Sequence, residues 1–80
     1  MNFKLSSEIT NIQTIAKGKS VDIRHELNRV YGRGDWRKLK GIATVEYENG
    51  QIWVAELHWF EAHGIGRKRM KDKHKLRRMA

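Results

Sequence analysis

The dipeptide Asn49-Gly50 constrains this chain more than any other feature. It separates two runs, 38–48 and 51–60, that are rich in β-branched and aromatic residues. Both central positions of a type I′ turn need positive φ, and Asn-Gly supplies it readily. A two-residue loop of that kind pairs Glu48 with Gln51, Tyr47 with Ile52, Val45 with Val54, Ala43 with Glu56 and Gly41 with His58. One face then gathers Leu39, Ala43, Val45, Tyr47, Ile52, Val54 and Phe60. The other gathers Ile42, Trp53, Ala55, Leu57 and Trp59. The second strand is apolar on both sides, which suits a central strand and requires a third beside it. Residues 67–75 are the expected partner. Their alternation sets Arg67, Arg69, Lys71 and Lys73 against Lys68, Met70, Asp72, His74 and Leu76, and lysine-studded edges resist unwanted pairing. The chain after about Lys75 is expected to fray.

Upstream, residues 20–31 read as a helix. Ser20 is a suitable N-cap, Asp22 complements the positive end of the dipole, and Ile23, Leu27, Val30 and Tyr31 form one apolar stripe. Gly32 stands where a left-handed residue ends a helix. Residues 1–19 admit a helical stripe (Ile9, Ile12, Ile15, Ala16) or a short β segment, and are expected to form an extended or partly helical arm on the core. The fold class expected is therefore α+β: one helix packed on a small three-stranded antiparallel sheet, with an N-terminal arm. At 80 residues the chain is one domain, 1–80, with no room for a two-lobed enzyme and a deep cofactor cleft. No cofactor is expected. The absence of cysteine excludes a disulfide scaffold, a zinc-thiolate site and a thiol nucleophile, and fits a reducing, cytoplasmic setting. No apolar run approaches ~18 residues, so no membrane span is expected. Met1-Asn2-Phe3-Lys4 does not open a signal peptide.

Charge is concentrated at one end. Residues 67–80 hold eight of the 17 bases and one acid, whereas residues 1–66 hold nine bases and eight acids. A dense local positive field suits a polyanion, nucleic acid first, with RNA favoured over DNA. The expected contacts are Arg33, Trp36, Arg37, Arg67, Lys68, Arg69, Lys71, Lys73, Lys75, Arg77 and Arg78. Among the tryptophans, Trp36 stands in a basic loop context and is the expected base-stacking residue; Trp53 and Trp59 are the better core candidates.

The densest polar cluster is Glu56, His58, Glu61, His63, then Arg67 and Arg69. Metal-free RNA cleavage needs a base for the 2′-OH, an acid for the leaving oxygen and cations for the phosphorane. Imidazole and carboxylate can do the first two, and guanidinium the third. The catalytic candidates are His58 and His63, with Glu56 or Glu61 as partner and Arg67 as phosphate clamp. The same residues offer His58, Glu61 and His63 as a two-His-one-carboxylate set, but the spacing is not that of a helical metal motif and no metal is expected.

The segments 34–41 (Gly-Asp-Trp-Arg-Lys-Leu-Lys-Gly) and 56–68 (Glu-Leu-His-Trp-Phe-Glu-Ala-His-Gly-Ile-Gly-Arg-Lys) resemble small uncharacterised bacterial, including cyanobacterial, proteins and toxin-like modules. The element order also resembles the barnase/colicin/RelE-type ribonuclease toxin domains, over roughly residues 20–75. That resemblance implies an RNA-directed activity and carries no residue-by-residue role. The competing expectation is a noncatalytic module that pairs with a second copy, or a small protein partner, through the aromatic face of its sheet.

Overall fold

The computed structural model describes residues 2–80. Its elements run β1 (Phe3–Leu5), β2 (Thr10–Lys17), a 3-10 turn (Gly18–Ser20), α1 (Arg24–Tyr31), β3 (Arg37–Tyr47), β4 (Ile52–Ala62) and β5 (Gly66–Arg78). The expected hairpin, its central second strand and the basic third strand are all present. The sheet has five strands, however, not three, all antiparallel and curled into a half-barrel. The expected arm is two further strands: β1 pairs the Tyr47 end of β3 and β2 pairs its Arg37 end. The branched residues of β2 favour a strand, and the backbone groups of β3 offer it hydrogen-bond partners along an otherwise open edge.

The hairpin register differs from the two-residue expectation by one position. Tyr47 is bridged to Gln51, whose carbonyl accepts from the Tyr47 amide at 2.9 Å, so Glu48, Asn49 and Gly50 form a three-residue loop. The Gly50 amide closes a tight turn on the Tyr47 carbonyl at 2.9 Å, and only Gly50 takes positive φ, +87°. This is the type I turn followed by a left-handed bulge residue, the next commonest hairpin connection. The Asn49 side chain accepts from the Gln51 amide at 3.0 Å, which holds the loop without asking Asn49 itself for positive φ. Because side chains alternate, the one-residue slip exchanges partners across the whole ladder.

In the observed register Val45 pairs Trp53, Ala43 pairs Ala55, Gly41 pairs Leu57 and Leu39 pairs Trp59. These residues line the inside of the curl and are joined there by Phe3, Ile9, Tyr47 and Met70. Phe3 meets Tyr47 edge-on, with ring centroids 6.1 Å apart. The aromatic face expected to pair with a second copy is thus the chain's own core: Trp59 is 1% exposed and Trp53 half-buried.

A second core lies on the opposite face, at the other end of the hairpin. Val21, Leu27, Trp36 and Ala62 are buried there, with Ala16, Ile23, Tyr31, Phe60 and Ile65 packed against them. The helix is shorter than expected: Ser20 belongs to the preceding 3-10 turn and Ile23 stands at the N-cap position without a side-chain cap. Gly32 ends it at φ +117°, its amide reaching the Asn28 carbonyl at 3.0 Å.

β5 wraps rather than lies flat. Its pairing to β4 slips three times, between Val54 and Ala55, Glu56 and Leu57, and His58 and Phe60. Each slip adds twist and re-aims a side chain. It does not end at Lys75. It continues to Arg78, and the Met79 amide reaches the Ile52 carbonyl at 2.7 Å.

Two glycines test this account. Gly50→Val forces a β-branched residue into positive φ and should lose more than ~1 kcal/mol of stability. A Cβ at Gly41 would stand 2.5 Å from the Ile9 side chain and 3.2 Å from the Trp59 ring. Gly41→Ala should therefore cost about 1–3 kcal/mol by overpacking. Unchanged urea midpoints in either variant would contradict the turn or the inner packing, respectively.

Candidate nucleic-acid interface

The even-numbered residues of β3 and β4 form the outer face, with those β5 residues that pair them. Successive cross-strand rows read Lys38–Phe60–Lys68, then Lys40–His58–Lys71, then Ile42–Glu56–His74, then Thr44–Val54–Arg77. Each of the first two rows is a ring flanked by two lysines. Helix α1 stands over the Phe60 end of this face. Its β3 and β4 side chains are all half-buried, and Lys71, His74 and Arg77 are exposed.

His58 and Glu56 are together here. The His58 Nε2 lies 2.8 Å from the Glu56 carboxylate, and the His58 side chain is 12% exposed. Its Nδ1 is buried without a partner. That hydrogen bond, aided by the charges of Lys40, His58 and His74, holds the Glu56 carboxyl below the usual carboxylate range despite partial burial. A carboxylate so stabilised is a weaker proton acceptor.

The other members of the expected acid–base set are elsewhere. His63 is exposed in the β4–β5 turn, five residues from His58, or roughly 16 Å along an extended strand. Glu61 and Arg67 lie on the inner-face side. Glu61 accepts from the Trp59 indole at 2.8 Å and sits 3.6 Å from Arg37 and 3.8 Å from Arg67. The Arg67 guanidinium covers the Trp59 ring at 5.4 Å. The structure brings His58 to Glu56 and Arg67 to Glu61, on opposite sides of the sheet. It assembles neither His58 with His63 nor His58, Glu61 and His63 around one point. Among the described residues no group of three His, Asp or Glu side chains gathers to hold a metal.

The basic residues sort into two classes. Some are held. Arg37 and Arg67 flank Glu61. Arg69, in a left-handed conformation at φ +55°, turns from the sheet to Glu26 and the Tyr31 hydroxyl. Lys75 lies on the inner-face side, 4.5 Å from the Tyr47 ring centre and 5.2 Å from that of Trp53. Arg78 pairs Trp53 on that same side, and Lys73 sits in a slip of the ladder. Five others share the outer face and make no ion pair among the described residues: Lys40, Lys71 and Arg77, together with Lys38, 5.7 Å from the Phe60 ring centre, and Lys68, 5.4 Å from that of Tyr31. Arg33 is exposed in the loop after α1, beside His25, Asn28 and Arg29 in an open bowl. Trp36 is not a stacking residue. It is 1% exposed in the second core, and its indole donates to the Gly32 carbonyl at 3.3 Å.

Sequence reading missed Lys38, Lys40, His74 and Phe60 as members of this surface. The signal that would have found them is the hairpin register: a left-handed Gly50 alone, rather than Asn49 and Gly50 together, sets Lys40 across from His58.

Among the described residues no helix is long and apolar enough to cross a membrane. Comparison with family models, curated proteins and solved structures finds no match to this chain, so no relative supplies a role for any residue.

One contact anchors the basic strand. The Tyr47 hydroxyl donates to Asp72, the only acid in β5. Burial first, then the bond and charge of Asp72, push the Tyr47 hydroxyl up to about 12 from an ordinary 10. The folded protein then keeps a proton that the unfolded chain loses above pH 10. The contribution is complete below pH 10 and lost as pH rises toward 12. Alkaline unfolding followed by circular dichroism should steepen over that window in the wild type and flatten in Tyr47→Phe. Identical alkaline profiles would contradict the assignment.

Proposed function

We propose that this protein binds single-stranded nucleic acid, RNA foremost, across the outer face of its sheet, without cleaving it. The observation that carries this reading is the pair of adjacent rows Lys38–Phe60–Lys68 and Lys40–His58–Lys71. A ring between two unpaired ammonium groups suits a nucleotide: the base lies on the ring and the flanking phosphates meet the lysines. Phe60 is the better platform, because His58 is mostly buried and engaged by Glu56. Arg77 extends the positive track toward the hairpin turn.

A single strand fits this surface better than a duplex groove. Three strands ~4.8 Å apart, widened by their side chains, exceed what a major groove ~12 Å wide accepts, and α1 stands beside them. Cleavage is left out of the proposal because His58 is mostly buried and bonded to Glu56, whose carboxylate is a weakened proton acceptor, and the expected second group, His63, stands apart in the β4–β5 turn.

Binding should be strongly salt-dependent. Five unpaired cations at ~0.7 each place the log–log salt slope on single-stranded RNA near about −3.5. Lys40→Glu with Lys71→Glu should flatten that slope and weaken binding at least ~10-fold, measured by fluorescence anisotropy at several salt concentrations. The same double change on a sheet that did not bind here would leave affinity unchanged, as would a salt-insensitive wild type, and either result overturns the reading. Labelled RNA should remain intact throughout; cleavage abolished by His58→Ala would restore the catalytic alternative.

A further inference from the structure

Adjacent residues of a strand normally face opposite sides of the sheet. Lys68 and Arg69 do not. Lys68 takes its place on the outer face beside Phe60, and the left-handed backbone of Arg69, at φ +55°, swings the next side chain toward α1 as well. Both cations then reach one ring: the Lys68 ammonium lies 5.4 Å and the Arg69 guanidinium 5.6 Å from the centre of Tyr31. The Arg69 Nε donates to the Tyr31 hydroxyl at 3.3 Å, and its Nη1 is paired with the Glu26 carboxylate. Two like charges side by side repel, and core packing does not call for them here: the Arg69 side chain is 35% exposed and that of Glu26 45%. What draws them together is an anion, and the chain supplies one from its own helix.

The place Glu26 occupies suits a phosphate group. The terminal nitrogens of a guanidinium can hold two phosphate oxygens, and an ammonium adds a second charge. A tyrosine hydroxyl that already accepts from Arg69 still has its own proton to donate. Glu26 fills the position through an exposed pair, which exchanges readily for another anion. Its carboxylate is not left alone when displaced. The bond and charge of Arg69, and to a smaller extent the charge of Arg29, hold the Glu26 carboxyl below the usual carboxylate range, so a second cation already stands within its field. Arg29 lies three residues on along α1, at the spacing of helix neighbours. We infer that Glu26 stands in for a phosphate in the free protein, and that Arg69, Lys68 and Tyr31 receive a phosphate of the bound strand when Glu26 turns aside to Arg29. Arg69 thereby becomes a sixth cation of the track and continues it from the Phe60 row to α1. The site deepens the single-strand reading above, on which the source of the phosphate rests.

A fluorescent uridine octamer, made with and without a 5′-phosphate, is titrated with the full chain and its variants by anisotropy across a salt series. Arg69→Gln should weaken binding about 3-fold, the worth of one exposed charge contact. Glu26→Gln should tighten it about 3-fold beyond Asp22→Asn, a control that removes the same charge from an exposed acid without an ion pair. Adding Arg69→Gln to the Glu26→Gln chain should cancel that gain and lower the salt slope by ~0.7, one phosphate contact on a single strand. A pair that only fastened α1 to the sheet would make the two single changes act alike, and that result overturns the inference while the strand reading stands. Equal binding of the two octamers assigns the site to a phosphate within the strand, and preference for the 5′-phosphorylated one assigns it to the terminal group; either outcome supports it. A second arm needs no variant. In the chain labelled with nitrogen-15, the octamer and inorganic phosphate should each move the Arg69 Nε–H signal and the Glu26 amide, and signals unmoved by both overturn the inference. If no octamer binds but inorganic phosphate still moves the Arg69 signal, the strand reading fails and the site is one for free phosphate.

Discussion

Everything in this fold depends on the bond from the Gly50 amide to the Tyr47 carbonyl and the left-handed Gly50 that follows from it. With a loop of three residues, β3 and β4 pair so that two tryptophans, two leucines, two alanines, a valine and a glycine fall on one side. With a loop of two, the same strands would mix apolar and charged residues on both faces. The correct register gathers the buried apolar side chains on one side and leaves the other carrying lysine, histidine and glutamate. Burial of the former, at roughly 1.5–3 kcal/mol for each large side chain, is what makes the alternative register unfavourable.

The long basic strand raises the opposite problem, since eight cations within 12 residues repel one another. The fold answers it by distributing them. Arg67 stands beside Glu61 before the first slip in β5, and the slips beyond it turn Arg69 toward Glu26 and leave Lys75 over two aromatic rings. Exposed ion pairs of this kind add little stability each. Their larger effect is selective: they remove particular charges from the outward field and leave five cations on one face. The left-handed backbone at Arg69 costs about 1–2 kcal/mol, offset by the Glu26 and Tyr31 contacts it makes possible.

The hairpin, the central place of β4, the basic strand after it and the glycine that ends the helix were legible in residues 32–75, because turn chemistry and alternation are local signals. The register was not, since Asn-Gly serves both a two-residue and a three-residue loop, and the choice is made by packing Trp53 and Trp59 inward. Nor were β1 and β2. β1 turns only Phe3 inward and β2 is almost wholly exposed, so neither carries a clear period, and what makes them strands is the free edge of β3, a tertiary fact. For the candidate site, the His58–Glu56 pairing was visible as two polar residues at strand spacing. Trp36 was misjudged because its charged neighbours in sequence point away from the core it enters. Lys38 and Lys40 were overlooked because charge was weighed by density along the chain, whereas a sheet gathers charge across strands.

One set of lysines faces outward on the sheet, and we propose that it holds a nucleic acid strand. Lysine acetylation read by mass spectrometry, with and without a single-stranded RNA, tests it directly. Lys38, Lys40, Lys68 and Lys71 should be shielded by the RNA, while Lys4, Lys19 and Lys75 react equally in both samples. Shielding spread evenly over all lysines, or centred on Lys75, would contradict it.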